Sequence, residues 1–88
     1  MRLQDKVALV TGGAAGIGRS TALAYAREGA RVAINYTRSE DDARRTAADV
    51  EAAGGAALLV RADVADEAQV RAMVETVLGT WGGVDILV

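Results

Sequence analysis

Residues 7–18 read V-A-L-V-T-G-G-A-A-G-I-G, a short apolar run that leads into a glycine-rich turn. The stretch that follows, from Arg19 to Glu28, is rich in helix-forming residues. Glycines let a backbone turn tightly and let a pyrophosphate approach without meeting a Cβ atom. The free N–H groups and the positive dipole end of a helix that starts there would face the anion. The stretch therefore predicts a phosphate-binding turn between a strand and a helix.

The spacing of the glycines separates this turn from related ones. It follows T-G-x-x-x-G-x-G rather than the G-x-G-x-x-G of the general dinucleotide fingerprint. It resembles the turn of the classical short-chain dehydrogenase/reductase family, usually T-G-x-x-x-G-I-G. The extended branch of that superfamily usually has T-G-x-x-G-x-x-G, and Ala15 stands where that pattern needs glycine. The resemblance implies a set of cofactor-binding residues in the turn: Gly12, Gly13, Ala15, Gly16, Ile17 and Gly18.

Two other interpretations of the same residues stay open. Gly13–Ser20 reads G-x-x-x-x-G-R-S, one residue away from a nucleotide-triphosphate P-loop, but Arg19 stands where that loop needs lysine. The magnesium-associated aspartate of a P-loop protein usually follows an apolar strand, whereas Asp85 precedes the apolar residues 86–88. The other interpretation is a glycine turn that binds no ligand.

Composition excludes several classes of protein. The 88 residues carry a net charge of −2 and include no Cys, His, Pro or Phe. The mild acidity gives no basic surface for nucleic acid, and no apolar run approaches the roughly 20 residues needed to cross a membrane. The charged opening, residues 2–6, lacks the apolar region of a signal peptide. Because the absence of cysteine is also compatible with a reducing compartment, we expect a cytoplasmic protein.

Apolar runs alternate with helical patterns along the chain, which is typical of βαβ units and a parallel sheet. The predicted strands are Val7–Val10, Arg31–Tyr36, Ala56–Arg61 and Val84–Val88. The predicted helices are Ile17–Glu28 followed by Gly29, a second from a Ser39 cap to Gly54-Gly55, and a third from an Asp66 cap to Trp81. The third helix carries an apolar stripe: Val70, Met73, Val74, Val77, Leu78 and Trp81. The pattern matches the first half of a Rossmann-type doubly wound α/β fold, with strand order 3-2-1-4 and the third helix on the opposite face of the sheet.

A second candidate site follows the second strand. A NAD-selective Rossmann domain usually has an acid there, about 20 residues after the glycine turn, whereas this chain has Tyr36, Thr37, Arg38 and Ser39. An acid would repel a 2′-phosphate; Arg38 would attract it, and Thr37 and Ser39 would hydrogen-bond to it. We therefore expect NADP rather than NAD as the preferred cofactor, although Ala15 stands where the family often has a second basic residue. The alternatives to these cofactor-binding roles are that Arg38 is a solvated loop cation and that Ser39 only caps the helix.

The resemblance also implies a role for Asp63 and Val64, directly after the third strand. In the family, such an aspartate accepts a hydrogen bond from the adenine amino group, and the next backbone N–H donates to a ring nitrogen. An aspartate in a surface loop is the alternative. We expect Asp85 to be a structural hydrogen-bonding residue and Trp81 to belong to the core.

The resemblance covers the whole chain but only the N-terminal part of the family's sequence. Within the family, the stretch Val32–Tyr36 looks most like that of 3-oxoacyl-[acyl-carrier-protein] reductases and bacterial glucose dehydrogenases. The family continues with Asn-Asn-Ala-Gly, a catalytic Ser and a Tyr-x-x-x-Lys pair, and Lys6 is the only lysine here. We therefore expect residues 1–88 to form the cofactor-binding part of one Rossmann domain, with no catalytic or metal-binding residue of their own.

The implied activity is hydride transfer between NADP(H) or NAD(H) and a small-molecule carbonyl or alcohol, in a homo-oligomer that is a tetramer by resemblance. The alternative is a non-catalytic nucleotide-binding or assembly module. Because Val84–Val88 would form an apolar sheet edge, we expect the 88 residues alone to be aggregated or partly unfolded.

Overall fold

Four parallel strands form the sheet of the computed structural model, which describes residues 2–88. They are β1 (Val7–Val10), β2 (Arg31–Tyr36), β3 (Ala56–Arg61) and β4 (Ile86–Leu87), and their order in the sheet is β3-β2-β1-β4. The helices that connect them are α1 (Gly16–Arg27), α2 (Glu40–Ala52) and α3 (Glu67–Trp81). The predicted Rossmann topology, with strand order 3-2-1-4, is confirmed.

The two faces of the sheet are covered by different helices. Successive residues of a strand point to opposite faces, so Leu9 and Val10 belong to different parts of the core. Val10 lies on the face that α1 and α2 cover, whereas Leu9 packs with Met73 and Val77 of α3. The prediction that the third helix lies on the opposite face is confirmed. The chain crosses the sheet after β3, and the glycine turn follows β1 at the crevice that this crossing creates.

The helix boundaries follow the predicted caps with one exception. Gly29 follows α1 with a φ of 88°, as a C′ glycine should. The Asp66 carboxylate caps α3 by accepting hydrogen bonds from the backbone N–H groups of Ala68 (3.0 Å) and Gln69 (3.3 Å). Ser39 precedes α2, but its side chain makes no cap hydrogen bond. Its backbone (φ −88°, ψ 64°) departs from the extended conformation that aims a cap hydroxyl at the first turn.

Two sequence-based expectations about the core are wrong in detail. The fourth strand, Ile86–Leu87, is shorter than predicted. Directly before it, the Asp85 carboxylate accepts a hydrogen bond from the Val7 backbone N–H (2.8 Å). The expectation that Asp85 has a structural role is thereby confirmed. Leu78 is 44% exposed rather than buried. It lies one residue past Val77, so helical geometry rotates it away from the sheet. Trp81 packs against the α3 side of the core.

Candidate functional site

A cleft of about 460 Å³ opens at the carboxyl edge of the sheet. Three segments that are distant in sequence line it: the glycine turn, the residues after β2 and the residue that follows the end of β3. Its lining residues are Gly12, Ala14, Ala15, Tyr36, Thr37, Arg38, Ser39 and Asp63. All except Ala14 are residues singled out from the sequence. Open α/β sheets bind ligands at this edge, so the candidate segments meet where a ligand site is expected.

Other predicted site residues lie outside the lining of this cleft. Gly13 is buried beneath the turn, and its N–H donates to the Asn35 carbonyl oxygen (3.0 Å). The Ile17 side chain is 87% exposed, and Val64 is also exposed. Gly16 and Gly18 belong to the first turn of α1.

The glycines of the turn serve different purposes. Gly16 has a φ of 60°, and a Cβ built there would meet no protein atom within 4 Å. A Cβ at Gly18 would lie 2.1 Å from the Gly12 carbonyl oxygen. From the sequence, both glycines are expected to lack a side chain so that a pyrophosphate can approach the backbone. The structure adds another reason for Gly18, because its missing side chain lets α1 pack against the turn itself.

The N-terminus of α1 offers free hydrogen-bond donors. Ala15 is its N-cap and has no capping side chain, and the first turn contains no acidic residue. Within residues 2–88, the N–H groups of Gly16, Ile17 and Gly18 donate to no acceptor. The positive end of the helix dipole is therefore not neutralised by a side chain. An anion placed there would receive several backbone hydrogen bonds.

The segment after β2 supplies a cation at the other end of the cleft. Arg38 is exposed and forms no ion pair with any residue of the range 2–88. The segment is held from β3: the Thr37 hydroxyl donates to the Ala62 carbonyl oxygen (3.3 Å), and Arg61 Nε donates to the Thr37 carbonyl oxygen (3.2 Å). Arg38 is thus presented to the cleft by an anchored backbone.

The acid closest in sequence to this cation already has partners. The Tyr36 hydroxyl donates to Glu40 (3.2 Å), and Arg44 forms an ion pair with the same carboxylate (3.5 Å). Partial burial raises the pKa of Tyr36, and the hydrogen bond to Glu40 raises it further. The phenol therefore stays protonated at neutral pH and keeps donating to Glu40.

Asp63 stands at the third side of the cleft. One of its carboxylate oxygens accepts the Ala65 backbone N–H (2.9 Å), and its own N–H donates to the Gln69 side chain (2.8 Å). These bonds fix the turn between β3 and α3. The second carboxylate oxygen accepts no hydrogen bond within residues 2–88. It is therefore available to a donor in the cleft.

Two buried polar residues that sequence reasoning missed support the glycine turn. The Asn35 side-chain oxygen accepts the Gly12 N–H (3.2 Å), and the Thr46 hydroxyl donates to the Ala14 carbonyl oxygen (2.9 Å). Both positions carry a signal in the sequence. Asn35 interrupts an apolar strand, and Thr46 lies on the helix face otherwise formed by small apolar residues.

The P-loop interpretation does not fit the contacts of Arg19. Its guanidinium donates to the Thr46 hydroxyl (3.1 Å) and forms an ion pair with Asp49, so it is bound to α2. The lysine of a P-loop instead reaches the phosphates of the nucleotide. Within the part of the chain that the structure describes, no cluster of metal-binding side chains occurs. No helix in that part has the length and apolar character to span a membrane.

Comparison with known proteins gives consistent matches. The sequence profile of the family described as short chain dehydrogenase matches residues 6–88. The short-chain dehydrogenase/reductase homolog YusS of Bacillus subtilis is 43% identical over 88 residues, which is the whole of this chain and 81% of YusS. Sorbitol dehydrogenase of Cereibacter sphaeroides is 51% identical over 88 residues, but the chain spans only 33% of that enzyme.

Solved structures agree with the sequence matches. A short chain dehydrogenase from Burkholderia cenocepacia, in complex with NADP, is 47% identical and superposes with a TM-score of 0.94 over 99% of this chain and 36% of its own. Glucose dehydrogenase of Caenorhabditis elegans is 40% identical with a TM-score of 0.89, over 99% of this chain and 38% of its own. The chain therefore spans about a third of these longer proteins.

Proposed function

The chain belongs to the short-chain dehydrogenase family, and we propose that it forms the dinucleotide-binding part of an oxidoreductase that prefers NADP to NAD. One observation carries this proposal. Two separate features at this edge of the sheet attract anions: the free N–H groups at the start of α1, directly after the cleft-lining residue Ala15, and the Arg38 guanidinium in the cleft. NADP has two matching anionic groups, the pyrophosphate and the 2′-phosphate.

The glycine turn is the proposed pyrophosphate site. Backbone N–H groups at the start of α1 would donate to the phosphate oxygens, and the helix dipole would stabilise their charge. The open space around Gly16 supports this, because a ligand would fill it without meeting a side chain.

The residues after β2 and β3 are the proposed adenosine site. Arg38 would pair with the 2′-phosphate, and the exposed Ser39 hydroxyl would donate to it. The Thr37 hydroxyl donates to the Ala62 carbonyl oxygen, so Thr37 would hold the segment in place. The free carboxylate oxygen of Asp63 would accept from the adenine amino group, and the Val64 N–H would donate to a ring nitrogen. Because Glu40 is bound to Tyr36 and Arg44, it would not act as the ribose-binding acid of a NAD-selective site. The NADP complex of the B. cenocepacia relative supports NADP as a nucleotide for this site.

The nicotinamide, when bound, supplies the exchange of a hydride with a carbonyl or alcohol carbon. The residues of this chain hold and orient the dinucleotide, and we assign no proton-transfer step to them. The cytoplasmic location, the homo-oligomer and a small-molecule carbonyl or alcohol as substrate stay predictions.

A non-catalytic nucleotide-binding module is the second candidate. It is favoured by the match to YusS, because a relative of which this chain spans 81% consists largely of the same part of the fold. Nucleotide binding without any reduction of carbonyl compounds would distinguish this candidate from the oxidoreductase.

The proposed function is tested by calorimetric titration of the protein with NADP⁺ and with NAD⁺. Arg38→Ala should weaken NADP⁺ binding about tenfold and leave NAD⁺ binding unchanged. A charge-assisted contact is worth roughly 1.5–3 kcal/mol, and the exposure of Arg38 puts it at the lower end. The control is Arg71→Ala, which removes the same charge from an exposed position on α3, away from the cleft. Equal affinities for the two nucleotides, insensitive to Arg38→Ala, would refute the NADP preference. Binding of neither nucleotide would refute the site.

A further inference from the structure

The glycine turn is held from two sides by buried polar side chains of two different elements. Asn35 of β2 is 2% exposed and Thr46 of α2 is fully buried. Each hydrogen-bonds to a backbone group of the turn, Gly12 in one case and Ala14 in the other. The turn is therefore fixed at two of its cleft-lining residues.

Asn35 connects the turn to the end of β3. Its side-chain oxygen accepts the Gly12 N–H, and its side-chain nitrogen donates to the Ala62 carbonyl oxygen (3.0 Å). Its backbone carbonyl oxygen accepts the Gly13 N–H (3.0 Å). Because Ala62 precedes Asp63, one side chain holds the proposed pyrophosphate site and the proposed adenine site in a fixed relation.

Thr46 connects the turn to α1 and α2. Its hydroxyl donates to Ala14 and accepts from the Arg19 guanidinium, so its donor and an acceptor position are both used. Arg19 belongs to α1 and is also paired with Asp49 of α2. The start of α1, which carries the free N–H groups, is thereby tied to the same hydroxyl as the turn.

We propose that Asn35 and Thr46 are positioning residues that hold the glycine turn in its binding conformation before a nucleotide arrives. A turn with left-handed glycines at Gly12 and Gly16 has many accessible conformations when nothing restrains it. Ordering such a turn on binding would reduce affinity, and fixing it beforehand removes that cost. The turn is proposed to contact the pyrophosphate, which NAD and NADP share. The loss of either residue should therefore lower the affinity for both nucleotides by the same factor.

This inference rests on the proposed function and is tested with four variants. Thr46→Val keeps the shape of the side chain and removes the hydroxyl, whereas Thr46→Ser keeps the hydroxyl. Val50→Ala opens a cavity on the same helix at a fully buried residue that makes no side-chain hydrogen bond to the turn. The dissociation constants of NADP⁺ and NAD⁺ and the melting temperature are measured for each variant, with Asn35→Leu as a second test of the turn.

Thr46→Val should lower the affinity for NADP⁺ and for NAD⁺ about fivefold each, which corresponds to one net hydrogen bond. Thr46→Ser should bind both nucleotides nearly as well as the unmodified protein does. Val50→Ala should lower the melting temperature without changing either affinity. The inference is overturned if Thr46→Val binds normally, if it changes the ratio of the two affinities, or if Val50→Ala weakens binding as much. Those results leave the proposed function intact. If the unmodified protein binds neither nucleotide, the proposed function fails as well.

Discussion

Replacement of Gly18 by alanine tests the packing of α1 against the glycine turn. The added Cβ would lie 2.1 Å from the Gly12 carbonyl oxygen, 2.7 Å from its carbon and 2.9 Å from the Gly13 Cα. These are backbone atoms, so no side chain can rotate away. An ordinary contact starts at 3.4 Å, and the helix and the turn must therefore separate by about 1.3 Å.

The expected cost follows from this overlap. Overpacking typically destabilises a fold by about 1–3 kcal/mol, and a clash with backbone lies at the upper end. The gain of about 1 kcal/mol from replacing glycine in a helix offsets part of this. We expect a net loss of about 2 kcal/mol in the free energy of unfolding, and the melting temperature should fall with it. Because the separation moves the free N–H groups of α1, nucleotide affinity should fall as well.

The matched control is Gly79→Ala in α3. A Cβ there meets no atom within 4 Å, and the position lies inside a helix. The same substitution should therefore stabilise the protein by about 1 kcal/mol and raise its melting temperature. Thermal unfolding followed by circular dichroism measures both variants. If Gly18→Ala melts at or above the temperature of the unmodified protein, the turn yields without cost and the reasoning is wrong.

Two further predictions concern the site and the third helix. Gly16→Val should abolish nucleotide binding, because its side chain would stand in the open space next to the free N–H groups; undiminished thermal stabilisation by NADP⁺ would contradict this. Asp66→Ala should cost about 1 kcal/mol by removing the cap of α3, whereas Asp66→Asn keeps an acceptor oxygen and should cost less. Chemical denaturation measures that difference, and equal losses for both variants would show that the cap bond is not the cause.

The topology and the three segments of the site could be predicted because their signals are local. The apolar run before Gly12, the helical spacing of Val70, Met73 and Val77, and the turn residues between the elements each lie within one stretch of sequence. Rules for crossover connections then determine the strand order. The structure confirms that order, and the carboxyl edge of the sheet brings the three segments together as expected.

What could not be predicted depends on contacts between distant residues. Asn35 and Gly12 are 23 positions apart, and Thr46 and Ala14 are 32 apart. A single polar residue in an apolar pattern predicts that some partner exists but does not identify it. The bond between the Asp85 carboxylate and the Val7 N–H is a further case, since these residues are 78 positions apart.

On the proposed assignment, nucleotide affinity and the preference for NADP depend on different segments of the site. The turn is held by Asn35 and Thr46, whereas the segment that carries Arg38 is held by Arg61 and by the Thr37 hydroxyl. The two sets meet at the end of β3, where the Asn35 amide and the Thr37 hydroxyl donate to the same Ala62 carbonyl oxygen. Thr46 shares no hydrogen-bond partner with the segment that carries Arg38. Substitutions in residues 36–39 should therefore change the ratio of NADP⁺ to NAD⁺ affinity, and those at the supports of the turn should change both affinities together. The losses of NADP⁺ binding free energy caused by Arg38→Ala and by Thr46→Val should therefore add in the double variant. A coupling energy of zero in this double-mutant cycle is the expected result.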